Sequence, residues 1–252
     1  MIRRPPRSTP KPSSAASDVY KRQISYIPQG AMNSLNPVLK IKRQMIDAYK
    51  AHYPNHKLDQ ILQLAHEAMT SVELPAHVLE MHPHELSGGM KQRVCIAIGI
   101  LLRPQIIIAD EPTSALDVVT QRQVIETLNR VQQKIGSALI LIGHDMGLMA
   151  QSMDKVAVMY AGEIVEINDV QTVFTSPKHP YTQALISSLP RLQNRGEFRG
   201  IPGMAPSLYR LPNGCRFHPR CTQQQPQCQT ISPHKSVFED EKYVTCHLYE
   251  AS

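Results

Sequence analysis

The stretch Leu86–Asp117, LSGGMKQRVCIAIGILLRPQIIIADEPTSALD, decides the fold, and its first part points to a phosphate ligand. Ser87 and two glycines stand directly ahead of a segment with helical character. Glycine lets backbone N–H groups approach a ligand closely, and a helix N-terminus carries about half a positive charge. Together these features favour the binding of a phosphate group at the start of the helix.

The second and third parts supply carboxylates at the end of a strand. Gln105–Ala109 is a short apolar run that predicts a buried strand, and it delivers Asp110 and Glu111 at its carboxyl end, where ligands of open α/β sheets bind. We expect Asp110 to hold Mg²⁺ and Glu111 to polarise an attacking water. Ser114–Asp117 then turns the chain into the next helix, for which Asp117 is a candidate N-cap.

Taken singly, an SGG is usually a turn, and a strand that ends in Asp-Glu is usually a solvated edge. The order and spacing of these motifs, however, closely resemble those of the ATP-binding-cassette (ABC) ATPases. LSGGMKQR is similar to the signature motif of that family, IIIADEP to its Walker B strand and SALD to its D-loop. The resemblance implies that ATP and Mg²⁺ are bound between two such subunits. The implied nucleotide-binding residues are Ser87, Gly88, Gly89, Asp110 and Asp117.

Two further segments resemble family elements that act on the same nucleotide. ISYIPQGAMNSLNPV begins at Ile24 with a predicted strand, and Gln29 at its end resembles the Q-loop glutamine, which reaches Mg²⁺ and water. Ala138–Ile142 is predicted to be another buried strand and delivers His144, which matches the switch histidine that contacts the γ-phosphate. The implied catalytic residues are therefore Glu111, His144 and Gln29, with Asp110 and Gln29 at the Mg²⁺.

The remaining patterns predict an α/β fold of the P-loop-NTPase-like ABC type. Apolar residues at helical spacing predict helices over residues 41–53, 57–70 and 121–134, and residues 155–160 and 163–167 are predicted to form a hairpin joined by Ala161-Gly162. A helix within residues 174–190 is predicted to turn Tyr181, Ala184, Leu185 and Leu189 inward. It resembles an extension specific to oligopeptide, dipeptide and nickel importers.

These predictions divide the chain into five segments. A partial RecA-like core with the Q-loop occupies residues 24–40 and continues over 101–170 with Walker B, the D-loop and the switch histidine. A helical subdomain with the signature occupies residues 41–100. Residues 171–252 form the C-terminal extension, whose later part has few apolar residues and is expected to need a metal or a partner to become ordered. Residues 1–23 are expected to be a disordered, non-native tail because they have four prolines and almost no apolar periodicity.

The charge distribution argues against a nucleic-acid partner. The chain of 252 residues has a net charge of +6, but residues 1–23 carry six basic side chains against Asp18, which leaves only +1 for residues 24–252. No basic stripe is left on the folded part. No apolar run reaches the roughly 18 residues of a membrane span, and no signal peptide is visible, so we expect a cytoplasmic protein with reduced thiols.

One family motif is missing from the sequence. The P-loop, G-x-x-x-x-G-K-[ST], cradles phosphates with its backbone and reaches them with its lysine, but none of the 12 glycines here is followed by lysine. In the family this motif precedes the Q-loop. We therefore expect a truncated cassette that does not hydrolyse ATP alone, although its signature motif could still complete the ATP site of a partner.

Four of the five cysteines lie close together in the C-terminal extension. Cys215, Cys221, Cys228 and Cys246 are spaced C-x5-C-x6-C-x17-C, whereas Cys95 follows the signature as a predicted core residue. Structural zinc sites usually pair cysteines at two to four intervening residues, and the wider gaps suit a larger cofactor. Some peptide-importer ATPases with this extension carry a [4Fe–4S] cluster, so the resemblance implies one here. Zinc and free thiols remain open alternatives.

The function implied by the resemblance is that of an ATP-binding subunit of a di- or oligopeptide importer, with nickel as an alternative substrate. Its implied partners are a second ATPase subunit, two integral-membrane permease subunits and, indirectly, an extracytoplasmic substrate-binding protein. Its implied location is the cytoplasmic face of the plasma membrane. Two alternatives are a soluble ABC ATPase without a membrane partner and a non-catalytic module built around a metal cluster.

Overall fold

A computed structural model describes residues 23–189, 200–239 and 241–250 of the chain. Except for Gln23, the expected tail of residues 1–23 lies outside the described residues. The chain divides into two compact units, residues 1–148 and 149–252. The hairpin that we grouped with the core of residues 101–170 therefore lies in the same unit as the C-terminal extension.

The first unit is built on a three-stranded parallel sheet in the order β1–β2–β3. The strands are β1 (Ile24–Ile27), β2 (Ile106–Asp110) and β3 (Ala138–Ile142), and all three predicted strands are thereby confirmed. Ile24 pairs with Ile106, which pairs with Ala138 on the other side. This register brings the carboxyl ends of all three strands, and the residues that follow them, to one edge of the sheet.

Four helices of the first unit accompany this sheet: α1 (Ile41–Lys50), α2 (Leu58–Ser71), α3 (Gly88–Ile100), which contacts β1, and α4 (Val118–Ile135), which contacts β3. A short helix, α5 (Met146–Ser152), spans the boundary between the two units. The helices predicted over 41–53, 57–70 and 121–134 are confirmed with shifted ends. As predicted, α4 ends at Gly136, whose φ of 70° is the left-handed conformation that glycine adopts readily. Cys95 is buried in the core, also as predicted.

One face of the sheet is exposed, and the prediction that β3 is a buried strand is wrong. Ile140 and Ile142 of β3 are 50% and 47% exposed, and Tyr26 of β1 is 57% exposed. Ile107 and Ala109 of β2 are fully buried, and Leu139 and Leu141 of β3 are partly buried against the same core. An apolar run indicates burial on both faces of a parallel sheet, but the helices of this unit cover only one of them.

The second unit is built on a four-stranded antiparallel sheet in the order β4–β5–β7–β6. The predicted hairpin is confirmed as β4 (Lys155–Tyr160) and β5 (Glu163–Asp169), and the C-terminal extension adds β6 (Lys235–Glu239) and β7 (Lys242–Thr245). The sequence did not predict the last two strands. β7 pairs directly with β5, so part of the extension packs on the predicted hairpin; the expected need for a metal or a partner stays a prediction.

Two short helices follow β5. They are α6 (Val170–Thr175) and α7 (Pro180–Ser187). The predicted inward face of α7 is wrong: the buried residues are Pro180, Thr182 and Ile186, whereas the residues predicted to face inward are half-buried. The helix begins at Pro180, and His179 directly before it is also buried. The buried side of the helix therefore differs from the side that the spacing of apolar residues predicted.

Candidate functional site

The three predicted catalytic residues meet at the carboxyl edge of the parallel sheet. The Nε2 of Gln29, just after β1, donates a hydrogen bond of 2.7 Å to Oε2 of Glu111, just after β2. Nδ1 of His144, which follows β3, lies 3.2 Å from Oε1 of the same carboxylate. We call these three residues the Glu111 cluster. Each strand of the sheet supplies one of them, so the register of the sheet sets their separation.

The backbone holds Glu111 in an uncommon conformation. Its φ is 42°, in the left-handed region that residues other than glycine rarely enter. Its N–H donates to the carbonyl of Ile142 at 2.8 Å, and its own carbonyl accepts from the N–H of Ser114 at 3.1 Å. Such local strain persists where the surrounding bonds fix it, and it is concentrated at functional sites. Here it turns the carboxylate toward Gln29 and His144.

Asp110 has a partner that sequence reasoning missed. The hydroxyl of Tyr26 donates a hydrogen bond of 2.9 Å to Oδ2 of Asp110. This hydrogen bond raises the pKa of Tyr26, with smaller contributions from partial desolvation and from the negative charge of Asp110. The contact of Tyr26 with Asp110 follows from the pairing of β1 with β2, which no single segment reveals.

The signature residues form the N-terminus of α3. Ser87 is the N-cap, and its Oγ accepts a hydrogen bond of 3.3 Å from the N–H of Met90. Ser87 and Gly88 are exposed and Gly89 is half-buried. The start of α3 is therefore open to a ligand on one side, with the partly positive end of the helix facing outward.

The D-loop residue Asp117 caps α4, as predicted. Its Oδ1 accepts from the N–H of Thr120 at 3.0 Å, and its Oδ2 accepts from the Thr120 hydroxyl at 2.6 Å. The side-chain bond from Thr120 and then the backbone bond lower the pKa of this carboxyl group. The cap keeps Asp117 ionised and fixes the position of the Ser114–Asp117 turn.

This arrangement can orient and polarise a water molecule, but it does not enclose a metal ion. Among the described residues, no group of three or more His, Cys, Asp or Glu side chains is placed to hold a metal. Mg²⁺ at nucleotide sites is commonly held by one or two protein groups together with phosphate oxygens and waters. Asp110 and Gln29 fit that mode, in which the nucleotide supplies the other ligands.

The four cysteines of the extension lie in the second unit, but among the described residues they are not assembled into a group placed to hold a metal. Burial, with smaller contributions from the charges of Cys215, Cys221 and Cys228, raises the pKa of Cys246 to about 11. The N–H of Cys215 donates to the carbonyl of Cys228 at 2.9 Å. Cys228 and Cys246 are buried, and all four residues carry free thiols.

None of the helices in the described ranges combines the length and the apolar character needed to cross a bilayer.

Similar sequences cover both units. Residues 7–114 match the family described as ABC transporter, and residues 165–228 match the one described as oligopeptide/dipeptide transporter, C-terminal region. The dipeptide transport ATP-binding protein DppD of Escherichia coli is 42% identical over 228 residues, which are 89% of this chain and 69% of that protein. The oligopeptide transport ATP-binding protein OppD of Salmonella typhimurium is 40% identical over 225 residues, which are 88% of this chain and 67% of that protein.

Solved structures with a similar fold are ABC cassettes. CbiO1 from Clostridium perfringens, part of the ABC transporter complex cbiONQ, superposes with a TM-score of 0.58 at 24% identity, over 66% of this chain and 64% of that one. The ATP-binding cassette MJ0796, in a post-hydrolysis state bound to ADP and Pi, gives a TM-score of 0.53 at 22% identity, over 64% of this chain and 68% of that one. At this identity the likeness establishes the fold alone.

The sequence relatives establish more than the fold. A second DppD, from Caldanaerobacter subterraneus subsp. tengcongensis, is 42% identical over 91% of this chain and 71% of its own length. The two family matches, over residues 7–114 and 165–228, both lie within this one chain. The chain belongs to the ABC transporter family of ATPases, in the group of dipeptide and oligopeptide transport ATP-binding proteins.

Proposed function

We propose that this chain is an ATP-binding subunit that powers the uptake of dipeptides or oligopeptides through an ABC importer. The Glu111 cluster is the observation that carries the proposal. Its two hydrogen bonds, of 2.7 and 3.2 Å, join one carboxylate to a glutamine and a histidine from neighbouring strands. A carboxylate held in this way is suited to orient and polarise the water that attacks a γ-phosphate.

The three side chains of the Glu111 cluster have separate roles in this proposal. Glu111 takes a proton from, or polarises, the attacking water. His144 presents Nδ1 to Glu111, which orients the ring and directs Nε2 toward the γ-phosphate. Gln29 contacts Glu111 through its amide N–H and has its carbonyl oxygen available for Mg²⁺ or water. Asp110, oriented by Tyr26, is the remaining protein ligand proposed for Mg²⁺.

The signature residues serve a different nucleotide. We propose that Ser87, Gly88 and Gly89 bind the ATP of a second ATPase subunit, with Asp117 at the same interface. The exposed start of α3 supports this, because it offers backbone N–H groups and the helix dipole to a phosphate that approaches from outside. This chain would then contribute to two ATP sites.

The partners follow from the same proposal. The helical segment, residues 41–100, would dock on one of two integral-membrane permease subunits at the cytoplasmic face of the plasma membrane. An extracytoplasmic binding protein would deliver the peptide to those subunits. The match of residues 165–228 to the C-terminal region of peptide transporters favours this function over that of a soluble ABC ATPase.

Reconstitution tests the proposed function. The chain would be placed in proteoliposomes with two permease subunits, a P-loop-bearing ATPase subunit and the peptide-binding protein of a dipeptide importer. We expect ATP-dependent uptake of a radiolabelled dipeptide that stops when this chain is omitted. Unlabelled tri- to pentapeptides and Ni²⁺, added as competitors, would identify the substrate. Undiminished uptake without this chain would contradict the proposal.

We further propose that Cys215, Cys221, Cys228 and Cys246 hold one [4Fe–4S] cluster with a structural or sensory role. The hydrogen bond from the N–H of Cys215 to the carbonyl of Cys228 supports this proposal by bringing two of the residues together. Cluster binding would have to gather all four thiols, because they form no metal-binding group in the described residues. Four thiolates are the usual ligands of such a cluster, which would stabilise the folded extension by cross-linking it. The cluster has no part in ATP hydrolysis in this proposal.

Metal analysis tests the proposed cluster. Protein purified without oxygen should be brown and contain about four iron and four sulfide ions per chain. The double variant Cys221→Ser/Cys228→Ser should lose both, whereas Cys95→Ser, which changes the buried thiol of the first unit, should keep them. Stoichiometric zinc without iron, or a cluster that survives the double substitution, would contradict the proposal.

A further inference from the structure

Both glycines of the signature motif lie against the segment that follows Walker B. An ideal Cβ at Gly89 would lie 2.5 Å from Cγ2 of Thr120, and one at Gly88 would lie 3.3 Å from Cδ2 of Leu116. Real Cβ atoms essentially never show contacts under 3.0 Å. Gly89 therefore lacks a side chain for two reasons: its backbone must be open to a ligand, and Thr120 must pack directly against it.

The methyl group of Thr120 cannot move away easily. The hydroxyl of Thr120 donates to Oδ2 of Asp117 at 2.6 Å, and its N–H donates to Oδ1 of the same carboxylate at 3.0 Å. A β-branched side chain in a helix has few accessible χ1 rotamers, and rotating Cγ2 away from Gly89 would break the hydroxyl bond to Asp117. The carboxylate that caps α4 thus also fixes the methyl group that touches the signature.

We propose that Thr120 is a positioning residue that couples the D-loop to the signature motif within this chain. Its hydroxyl is bonded to Asp117 and its methyl group packs on Gly89, so a displacement of the Ser114–Asp117 turn is transmitted to the N-terminus of α3. The contact of Leu116 with Gly88 acts in the same direction. The inference rests on the proposed function in one respect, namely that the signature binds the ATP of a partner subunit.

Two substitutions separate the two contacts of Thr120. Thr120→Ser keeps the hydroxyl and its bond to Asp117 but removes the methyl group, which makes room for a side chain at position 89. Thr120→Val keeps the methyl group and removes the hydroxyl. If Thr120 positions the signature as proposed, Gly89→Ala is rescued by Thr120→Ser and is not rescued by Thr120→Val.

Hydrogen exchange on the complete 252-residue chain, without nucleotide, tests the mechanical link. We expect Gly89→Ala to speed exchange about 5- to 100-fold in residues 86–92 and also in residues 113–121, because overpacking of a constrained contact is costly. Adding Thr120→Ser should return both segments to within about twofold of wild type. Thr70→Ser is the matched control: it also removes a methyl group from a helix, at an exposed position, and should rescue nothing.

Three results would overturn the link. One is faster exchange in residues 86–92 alone after Gly89→Ala. Another is rescue by Thr120→Val that equals rescue by Thr120→Ser. The third is rescue by the distant control Thr70→Ser. Gly200→Ala, where an added Cβ meets nothing within 4 Å, shows whether a new methyl group by itself alters exchange.

A nucleotide readout separates positioning from mere packing. The chain is mixed with a P-loop-bearing DppD-type subunit, and binding of the fluorescent nucleotide MANT-ATP with Mg²⁺ is titrated. We expect Gly89→Ala to weaken the binding that depends on this chain by at least tenfold and Thr120→Ser to restore it. Unchanged binding with Gly89→Ala would overturn the positioning role. If the hydrogen-exchange results support the link between Thr120 and the signature but the wild-type pair of subunits does not bind MANT-ATP, the proposed function is contradicted instead.

Discussion

Gly214 provides a quantitative test of how the cysteine-bearing extension is held together. Its φ is +65°, and an added Cβ would overlap with the carbonyl oxygen of Cys228 and lie 2.9 Å from the carbonyl carbon of Gln229. These are backbone atoms that cannot rotate away. Gly214→Ala therefore combines a left-handed alanine, which costs about 1–2 kcal/mol, with overpacking, which costs about 1–3 kcal/mol.

The expected total is a loss of about 2–5 kcal/mol in the free energy of unfolding of residues 200–250. Two other glycines of this unit give graded controls. Gly203 also has a positive φ, of 73°, but its added Cβ would make only ordinary contacts with Arg220, so Gly203→Ala should cost about 1–2 kcal/mol. Gly200→Ala meets open space and should change stability by no more than about 0.5 kcal/mol.

Hydrogen exchange of the slowest amides in residues 200–250 is the suitable assay, because a chain of two units has no single unfolding free energy. A loss of 2–5 kcal/mol corresponds to exchange that is about 30-fold to several thousand-fold faster. The expected order of effect is Gly214, then Gly203, then Gly200. Equal effects of Gly214→Ala and Gly203→Ala would refute the overlap with the Cys228 carbonyl.

Three further predictions concern catalysis and pH. The 252-residue chain alone should show no steady-state ATP hydrolysis, since none of its glycines precedes a lysine; turnover that Glu111→Gln abolishes would refute this. A family-type P-loop subdomain can be joined ahead of Ile24 to give a protein that hydrolyses ATP. In that protein Glu111→Gln should slow hydrolysis about 10²–10⁴-fold with ATP binding retained, whereas Asp110→Asn should weaken Mg²⁺-dependent ATP binding. If both variants lost only ATP binding, these roles would be contradicted. Burial lowers the pKa of His179 to about 4. The second unit should therefore be more stable above pH 6.5 by about 3 kcal/mol, and this stability should be lost as the pH falls toward 4. His179→Gln should flatten this dependence of the unfolding free energy on pH, and an unchanged dependence would contradict the prediction.

The sequence predicted local elements well where one segment contains the whole signal. The ends of β3 agree at both residues, and α4 has its predicted N-cap in Asp117 and its predicted C-terminal glycine in Gly136. Caps and short apolar runs are encoded by neighbouring residues, so they can be read without knowledge of the fold. The same holds for the order of Gln29, Glu111 and His144 along three strands, which the parallel register then brings together.

Contacts between segments were not predictable in the same way. The bond from Tyr26 to Asp110 and the packing of Thr120 on Gly89 join residues that are distant or unremarkable in sequence. The exposure of Ile140 depends on which elements cover the sheet and not on the strand itself. Strands β6 and β7 have weak patterns of their own, and β7 is placed mainly by its pairing with β5.

ATP held between this chain and a partner subunit tests the central claim most directly. Radiolabelled ATP with Mg²⁺ would be measured by equilibrium dialysis against a mixture of this chain and a P-loop-bearing DppD-type subunit whose hydrolysis is blocked. The account predicts that this chain and its partner subunit associate only with ATP bound between them. Gly88→Asp, which places a negative charge at the start of α3, should abolish this association, and Gly200→Asp should leave it intact. ATP binding and pairing that survive Gly88→Asp unchanged would contradict the claim that this signature motif completes the site of its partner.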